Sequence, residues 1–257
     1  MTIIQSALLG AIEGLTEFLP ISSTFHLIWG GQLLHIPHTT GQKIFEVVIQ
    51  AGAIGGALCL YARRLAKDLA LAKKILVSFV PTAAIGFVLY SIIKGIFFEN
   101  YALQLGIFAL VGIVFIIFEK FPHAPSATRP ISALSYKEAF GIGIAQAVAV
   151  IPGVSRAGAV LLALISIKIK REEAAEYSFM LAIPTILGAA ALDIYKSRHL
   201  LIASSHDTLL LFIGFMVAGI SAFAVMKWLI AFLQHHSLAL FGWYRLAAAT
   251  ALFLWLF

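Results

Sequence analysis

Two carboxylates, three consecutive hydroxyls and an imidazole lie within fourteen residues, Glu13-Gly-Leu-Thr-Glu-Phe-Leu-Pro-Ile-Ser-Ser-Thr-Phe-His26. Both flanks are almost wholly apolar, so each ionisable group here is expensive to bury and indicates a functional site. Proline lacks an amide hydrogen and disfavours helical geometry in the residue before it, so a first helix should end near Pro20. The hydroxyl run after it is typical of the N-cap of a second helix. The stretch therefore predicts a helix–break–helix hairpin with a polar tip.

The composition is that of a membrane protein. Of the 257 residues, 61% are hydrophobic and only 12% are charged, whereas soluble domains carry about 25% charged residues. The alternating pattern of a membrane barrel is absent, and a single cysteine excludes an internal disulfide. The net charge is +6, but the basic residues lie between apolar segments rather than along one stripe. This distribution argues against nucleic acid as a partner. We predict an all-α polytopic membrane protein.

Ten apolar segments divide into long and short ones. Six are long enough to cross a hydrocarbon core of about 30 Å: 45–62, 75–93, 101–118, 173–194, 208–232 and 238–257. Four shorter ones form two hairpins that are interrupted at a proline, 2–19 with 22–35 and 134–150 with 155–168. An arm of about 14 residues reaches only about 21 Å. We therefore expect six transmembrane helices and two re-entrant helix–break–helix hairpins.

The two hairpins head similar halves of the chain. An acid follows each break at a similar distance, Glu46 after Pro20 and Glu176 after Pro152. Order and spacing agree across most of the sequence. We predict one membrane domain, 1–257, built from an internal duplication of roughly 1–118 and 134–257.

The basic residues predict how the two halves are oriented. Loops that should share one side of the membrane carry twelve: Arg63, Arg64, Lys67, Lys73, Lys74, Lys120, Arg129, Lys137, Lys168, Lys170, Arg171 and Lys227. The other side has four: Lys43, Lys94, Lys196 and Arg198. The richer side is cytoplasmic by the positive-inside rule. Because each half has three spans, the repeats are inverted and the hairpins enter from opposite faces. Inverted repeats commonly place a site where such breaks meet.

The first hairpin supplies the candidate catalytic groups. Glu13 and Glu17 are one helical turn apart, a spacing that favours a divalent cation, Mg²⁺ or Ca²⁺, or a general base. Ser23 and His26 are three apart on the next helix and suit a nucleophile with its base. The simpler alternatives are interfacial acids, capping hydroxyls and a histidine that only donates a hydrogen bond. At least one of the hydroxyls, which include Ser22 and Thr24, is expected to cap.

The second hairpin supplies a cation. Arg156 begins the helix after the second break, and a guanidinium suits bidentate contacts to phosphate. If the breaks meet, Arg156 and Ser155 face the serine–histidine tip. Glu46 and Gln50 follow the first hairpin and are further candidates. Arg245 is a charge at apolar depth for which we expect an acidic partner.

Four segments together resemble bacterial undecaprenyl-diphosphate phosphatases of the bacitracin-resistance type. They are Glu13 to His26, Phe45-Glu-Val-Val-Ile-Gln50, Pro152-Gly-Val-Ser-Arg-Ala-Gly158 and Ser178-Phe-Met-Leu-Ala-Ile-Pro184. They run through both halves in the order of that family, so the resemblance covers essentially the whole chain.

The resemblance implies a multi-pass enzyme of the bacterial inner membrane, with its site open to the outside. Such an enzyme hydrolyses a C55 isoprenoid diphosphate to its monophosphate, assisted by a divalent cation, and recycles the carrier for peptidoglycan synthesis and cell shape. Residue by residue, it assigns Glu13 and Glu17 to the acidic motif, Ser22, Ser23 and His26 to the serine–histidine motif, and Arg156 to the phosphate. Membrane lipids and a polyprenyl diphosphate are the expected partners, and a homodimer is compatible with the sequence.

Two positions depart from the family pattern. Phe25 stands where the family usually has glycine, and a ring there is expected to crowd the phosphate or move His26. Ala157 replaces a serine and removes a hydroxyl from the expected phosphate site.

Two other classes of function compete with hydrolysis. Inverted repeats with broken helices are also the architecture of secondary transporters and lipid flippases, and the topology does not separate them. A purely structural scaffold leaves the polar cluster unexplained. Within hydrolysis, Ser23, His26 and a water molecule remain alternative nucleophiles.

Overall fold

The computed structural model describes residues 1–37, 39–97, 100–120, 128–197 and 205–256. Within these ranges the chain forms ten α-helices. They are α1 (Ile3–Glu17), α2 (Ser23–Leu33), α3 (Thr40–Lys67), α4 (Leu69–Phe97), α5 (Tyr101–Lys120), α6 (Tyr136–Ala147), α7 (Arg156–Ser166), α8 (Arg171–Ser197), α9 (Ser205–Leu233) and α10 (Ala239–Leu256). Two 3₁₀ turns, Ile131–Ala133 and Val148–Val150, flank α6.

Both predicted hairpins are present. α1 and α2 are separated at Pro20, and α6 and α7 at Pro152, where Gly153 adopts a φ of 97°. The first helix of each hairpin, α1 or α6, begins with a capping box. The Gln5 amide nitrogen donates to Thr2 Oγ1 at 3.2 Å, and the Glu138 amide nitrogen donates to Ser135 Oγ at 3.2 Å. The arms are 11 to 15 residues long, or about 17–22 Å. They are too short to cross a core of about 30 Å.

The six remaining helices coincide with the six predicted spans. Five of them, α3, α4, α5, α8 and α9, contain a window long and apolar enough to cross a membrane. The sixth, α10, has 18 residues and reaches about 27 Å. The prediction of an all-α polytopic membrane protein is confirmed. Of the six helices, all but α10 extend past the predicted ends, because their terminal turns carry polar residues that an apolar window excludes. The predicted duplication of 1–118 and 134–257 remains a prediction.

Glycines allow α9 to lie directly against α1 and α3. A Cβ atom added to Gly14 of α1 would stand 2.8 Å from Ser221 Cβ, and one added to Gly56 of α3 would stand 2.6 Å from Gly219 O. Such close backbone approach through small residues is the usual packing device where lipid removes the hydrophobic driving force between helices. The first hairpin is thereby anchored to the long helices.

Polar contacts anchor the second hairpin. Ser78 Oγ donates to Ala139 O at 2.6 Å, and Thr82 Oγ1 to Gly143 O at 2.8 Å, so α4 is bonded along the backbone of α6. At the start of α6, the Arg129 guanidinium makes a bidentate pair with Glu138, and that pair with the Ser135 amide lowers the pKa of Glu138 to about 2. Glu138 therefore stays ionised and paired with Arg129 at physiological pH, which fixes the start of α6.

The same substitution at two glycines tests this packing. Gly56→Ala should overpack the α3–α9 contact and destabilise the protein by about 1–3 kcal/mol, which lowers the midpoint of thermal unfolding in detergent. Gly106→Ala on α5 is the matched control, because a Cβ atom there meets nothing within 4 Å and alanine favours a helix. Equal melting temperatures for the two variants would contradict the close approach.

Candidate active site

The two helix breaks are in contact. Arg156 Nη2, after the second break, donates to Glu17 Oε1 at 3.1 Å and to the Glu17 carbonyl at 3.3 Å. Ser155 Oγ lies 3.4 Å from the Leu19 carbonyl oxygen. The predicted meeting of a serine-bearing tip with an arginine-bearing tip is confirmed.

Arg245 ties the two breaks together from α10. Its Nε donates to Phe108 O at 2.9 Å, its Nη1 to Pro20 O at 3.2 Å, and its Nη2 to Gly153 O. The side chain is fully buried, and its guanidinium carbon lies 4.3 Å from the centre of the Phe108 ring. Among the described residues Arg245 has no acidic partner, so that expectation was wrong. A helix break leaves carbonyls without intrahelical donors, and a planar guanidinium offers five N–H groups.

Glu17 joins the serine to the arginine. Ser23 Oγ donates to Glu17 Oε2 at 2.5 Å, while Arg156 binds the other carboxylate oxygen. Both side chains of the ion pair are largely buried, with 9% of Glu17 and 12% of Arg156 exposed. Arg156 Nη1 donates to the Ser178 carbonyl at 2.8 Å. Its Nε is buried and has no hydrogen-bond partner among the described residues. A hydroxyl, a base that accepts its proton and a cation are thus aligned.

The prediction that His26 pairs with Ser23 was wrong. Its Nδ1 lies 2.8 Å from the Ser22 carbonyl oxygen, and its Nε2 lies 2.7 Å from the Tyr244 hydroxyl. The first turn of α2 directs the imidazole back along its own helix and toward α10, away from the Ser23 hydroxyl. The hydrogen-bond partner of Ser23 is therefore Glu17, a possibility that the three-residue spacing did not indicate.

The hydroxyl run does not cap α2. Ser22 occupies the N-cap position with a φ of 68° and makes no side-chain capping bond, so the expectation that one of these hydroxyls caps was wrong. A φ in the left-handed region is costly for a residue other than glycine and is found at functional sites. By contrast, Ser155 caps α7, accepting from the Gly158 amide nitrogen at 3.1 Å.

A cavity of about 530 Å³ opens at the point where the tips meet. Its walls include Glu17, Ser22, Ser23, Thr24, Gln50, Ser155 and Arg156. A second polar group lines it as well: Gln146 Nε2 donates to Thr82 Oγ1 at 2.8 Å and to Thr185 Oγ1 at 3.2 Å. The remaining walls are mostly apolar, including Phe79, Ala83, Phe87, Val150, Val154, Ile186 and Leu192. An anionic head with an apolar tail matches such a lining.

Glu13 lies beside this cavity and not in its wall. It is fully buried, and neither carboxylate oxygen has a hydrogen-bond partner in the part of the chain that the structure describes. Its electrostatic neighbours are Glu17, Glu46 and Arg156. Glu46 accepts from Gln42 Nε2 at 3.3 Å. The neighbourhood holds more negative than positive charge.

Phe25 and Ala157, the two departures from the family pattern, are not part of the cavity wall. Phe25 is 2% exposed and stacks on Phe108 with 3.8 Å between ring centres and 7° between planes. It fills a space between α2 and α5 and does not crowd the cavity, contrary to expectation. Ala157 is fully buried and is not part of the cavity wall either, so a hydroxyl is not missing from that wall.

Two of the residues that organise the site were missed by the sequence reasoning. Tyr244 bonds His26, and Ser178 anchors Arg156. Their signals were present: Tyr244 precedes a buried arginine, and Ser178 begins one of the four segments that carry the resemblance. Neither residue is ionised, so neither stood out in an apolar sequence.

Comparisons with known proteins agree with this geometry. The family described as bacitracin resistance protein BacA matches residues 6–251. A protein of Rhizorhabdus wittichii named undecaprenyl-diphosphatase is 38% identical, with 100% of this chain and 98% of that protein covered. Proteins of the same name from Sulfurihydrogenibium sp. and Aquifex aeolicus are each 41% identical, covering 99% and 96% of this chain and 100% and 95% of theirs. The chain belongs to the BacA family of bacitracin resistance proteins.

Proposed function

We propose that this protein hydrolyses undecaprenyl diphosphate to undecaprenyl phosphate and inorganic phosphate. The activity recycles the lipid carrier for peptidoglycan synthesis and confers resistance to bacitracin. Membership of the BacA family and the name undecaprenyl-diphosphatase of its relatives support this substrate. The observation that carries the chemistry is the Ser23 hydroxyl donating to Glu17 at 2.5 Å, with Arg156 on the same carboxylate.

The first step transfers the terminal phosphate to the serine. Ser23 Oγ attacks the terminal phosphorus, and its proton passes to Glu17 Oε2. The bond from phosphorus to the bridging oxygen breaks, and undecaprenyl phosphate leaves with the proton relayed by Glu17. Alignment of a hydroxyl with its base is what such nucleophilic catalysis requires.

Arg156 couples substrate binding to this step. Before binding, its guanidinium neutralises Glu17. A phosphate oxygen competes for the same N–H groups, and phosphate and carboxylate are the two anions that this planar fork prefers. Transfer of Arg156 to the phosphate leaves the Glu17 carboxylate free to accept the serine proton.

The second step releases phosphate. Water attacks the phosphoserine phosphorus, Glu17 accepts a proton from that water, and the bond to Ser23 Oγ breaks as the oxygen is reprotonated. Glu17 thus acts as base and then as acid. Ser22, Thr24 and Ser155 line the same cavity and donate hydrogen bonds to the phosphate oxygens.

The cavity opens to the outside of the inner membrane. Its walls include Leu192 and Asp193 near the end of α8 and Phe87 in the second half of α4. Both helices start at the basic side, which the positive-inside rule places in the cytoplasm. The lipid tail leaves the cavity through its apolar walls.

Glu13 and Glu17 would be the two protein ligands of a divalent cation; the described residues hold no larger group of His, Cys, Asp or Glu side chains that could bind one. A buried carboxylate without a hydrogen bond is costly unless it is protonated or bound to a cation, and Mg²⁺ and Ca²⁺ prefer carboxylate oxygens. An ion held by these carboxylates would supply positive charge next to the diphosphate. We expect chelation to lower the hydrolysis rate and added Mg²⁺ to restore it; a rate unaffected by chelation would mean that Glu13 is instead held protonated.

The transporter alternative receives no support from the comparisons, since the relatives are named as diphosphatases. Hydrolysis needs an aligned hydroxyl and base, which transport does not.

Phosphate release by the purified protein in detergent, without a gradient, tests the function. Wild type should release phosphate from undecaprenyl diphosphate, and Ser23→Ala should lose at least about a hundredfold in kcat. Denaturing quench of wild type on terminally ³²P-labelled substrate should trap label on Ser23. A fully active Ser23→Ala protein would exclude the serine route, while an inactive wild type would exclude the function. Lys120→Ala, at the far end of α5, is the control.

Two amide substitutions test the role of His26. Asparagine places an N–H close to the position of His26 Nδ1 and keeps the bond to the Ser22 carbonyl, whereas glutamine places it near Nε2 and loses that bond. We expect His26→Asn to retain at least about fivefold more kcat than His26→Gln, the worth of one hydrogen bond. Equal and complete loss in both variants would mean that the imidazole itself exchanges a proton with the substrate.

A further inference from the structure

Tyr244, from the opposite end of the chain, is the residue that meets His26 Nε2. Its hydroxyl lies 2.7 Å from His26 Nε2, and the two rings are nearly parallel, with 13° between planes and 5.7 Å between centres. The mechanism above uses neither the hydroxyl nor Nε2. The contact is therefore unexplained by the reaction steps themselves.

The geometry fixes which nitrogen of His26 carries the proton. A carbonyl only accepts, so Nδ1, 2.8 Å from Ser22 O, is protonated. In the neutral ring Nε2 is then an acceptor, and the Tyr244 hydroxyl donates to it. Partial burial disfavours a positive charge on the imidazole, and so does Arg245, the buried cation that follows Tyr244 in the chain. Tyr244 and Ser22 hold one tautomer from both sides.

That tautomer supports the turn that carries the nucleophile. Ser22 has a φ of 68° and no side-chain cap, so its conformation must be imposed by its surroundings. The Ser22 carbonyl accepts from the His26 amide nitrogen at 3.3 Å and from the His26 imidazole at the shorter distance of 2.8 Å. The next residue is Ser23, whose hydroxyl donates to Glu17. With the other tautomer, a lone pair of Nδ1 would face the carbonyl oxygen and repel it.

We propose that Tyr244 is a positioning residue: its hydroxyl fixes the His26 tautomer that holds the Ser22 turn and so aims Ser23 at Glu17. The proposal rests on the proposed hydrolase function for its kinetic test. Tyr244 and Arg245 then form a two-residue clamp on α10, one side chain ordering the serine turn and the other ordering the carbonyls of both breaks.

A double-mutant cycle tests whether Tyr244 acts through His26. Tyr244→Phe keeps the ring and removes the donor, so kcat for undecaprenyl diphosphate should fall about two- to tenfold with KM unchanged. In the His26→Asn background, which keeps the bond to Ser22 without an imidazole tautomer, the same substitution should have no effect. Equal losses in both backgrounds would overturn the proposal, since additive effects mark independent sites. Tyr136→Phe, an exposed tyrosine at the start of α6, is the matched control.

A spectroscopic measurement decides the proposal independently of activity. In protein labelled with ¹⁵N-histidine, the His26 signals are identified by their loss in His26→Asn. Wild type should show a protonated Nδ1 and an unprotonated, hydrogen-bonded Nε2, and Tyr244→Phe should shift Nε2 and populate the second tautomer. A protonated Nε2 in wild type, or a spectrum unchanged by Tyr244→Phe, would overturn the proposal. An inactive wild type with the expected spectrum would exclude the proposed function but would still support the role of Tyr244.

Discussion

One buried guanidinium holds the two helix breaks at a common point. Arg245 donates to a carbonyl in each break and to a third on α5. Each break leaves carbonyl groups without donors, and in an apolar interior such groups are costly unless they are paired. Five N–H groups in one plane meet that need from a single side chain. Arg245 thereby holds together two chain segments that are about 130 residues apart in sequence and that form the site.

The electrostatics of the site follow from this arrangement. Glu13, Glu17 and Glu46 lie near a single arginine, Arg156. This excess of negative charge favours a bound cation or proton and does not by itself attract a diphosphate. The Glu17–Arg156 pair resolves part of the imbalance while the site is at rest. A guanidinium is also a common ligand of phosphate, so in the proposed mechanism substrate and carboxylate compete for Arg156. Under that proposal, substrate binding also frees the Glu17 carboxylate to act as a base.

Much of the architecture could be predicted because the bilayer constrains it strongly. Apolar length predicted the spans because it must match the thickness of the bilayer. Proline predicted the breaks because it removes a backbone donor. Contact between the tips followed from topology and loop charge. The partners of individual polar groups could not be predicted. Spacing along a helix suggested that Ser23 faces His26, but the Ser23 hydroxyl bonds Glu17 of α1 and the His26 imidazole bonds Ser22 and Tyr244. Arg245 was expected to need an acid, although uncharged carbonyls satisfy it.

The phenylalanine at position 25 illustrates the same limit. Its size suggested a clash with the phosphate, but its orientation depends on a space between α2 and α5 that only the tertiary structure defines, where it stacks on Phe108. Aromatic stacking of this kind contributes to packing without entering the site. Residue type predicted that polar chemistry was present, and three-dimensional packing decided which groups take part in it.

The contact between the two breaks is the central claim, and cross-linking in native membranes tests it most directly. In a Cys59→Ser background, Ser23→Cys and Ser155→Cys place one thiol on each tip, and a short bifunctional methanethiosulfonate should join them rapidly, as mass spectrometry of the linked peptides would reveal. The pair Lys43→Cys and Arg63→Cys, about 30 Å apart along α3, should not react. Failure of the first pair to link, with both thiols accessible to a monofunctional reagent, would contradict the account.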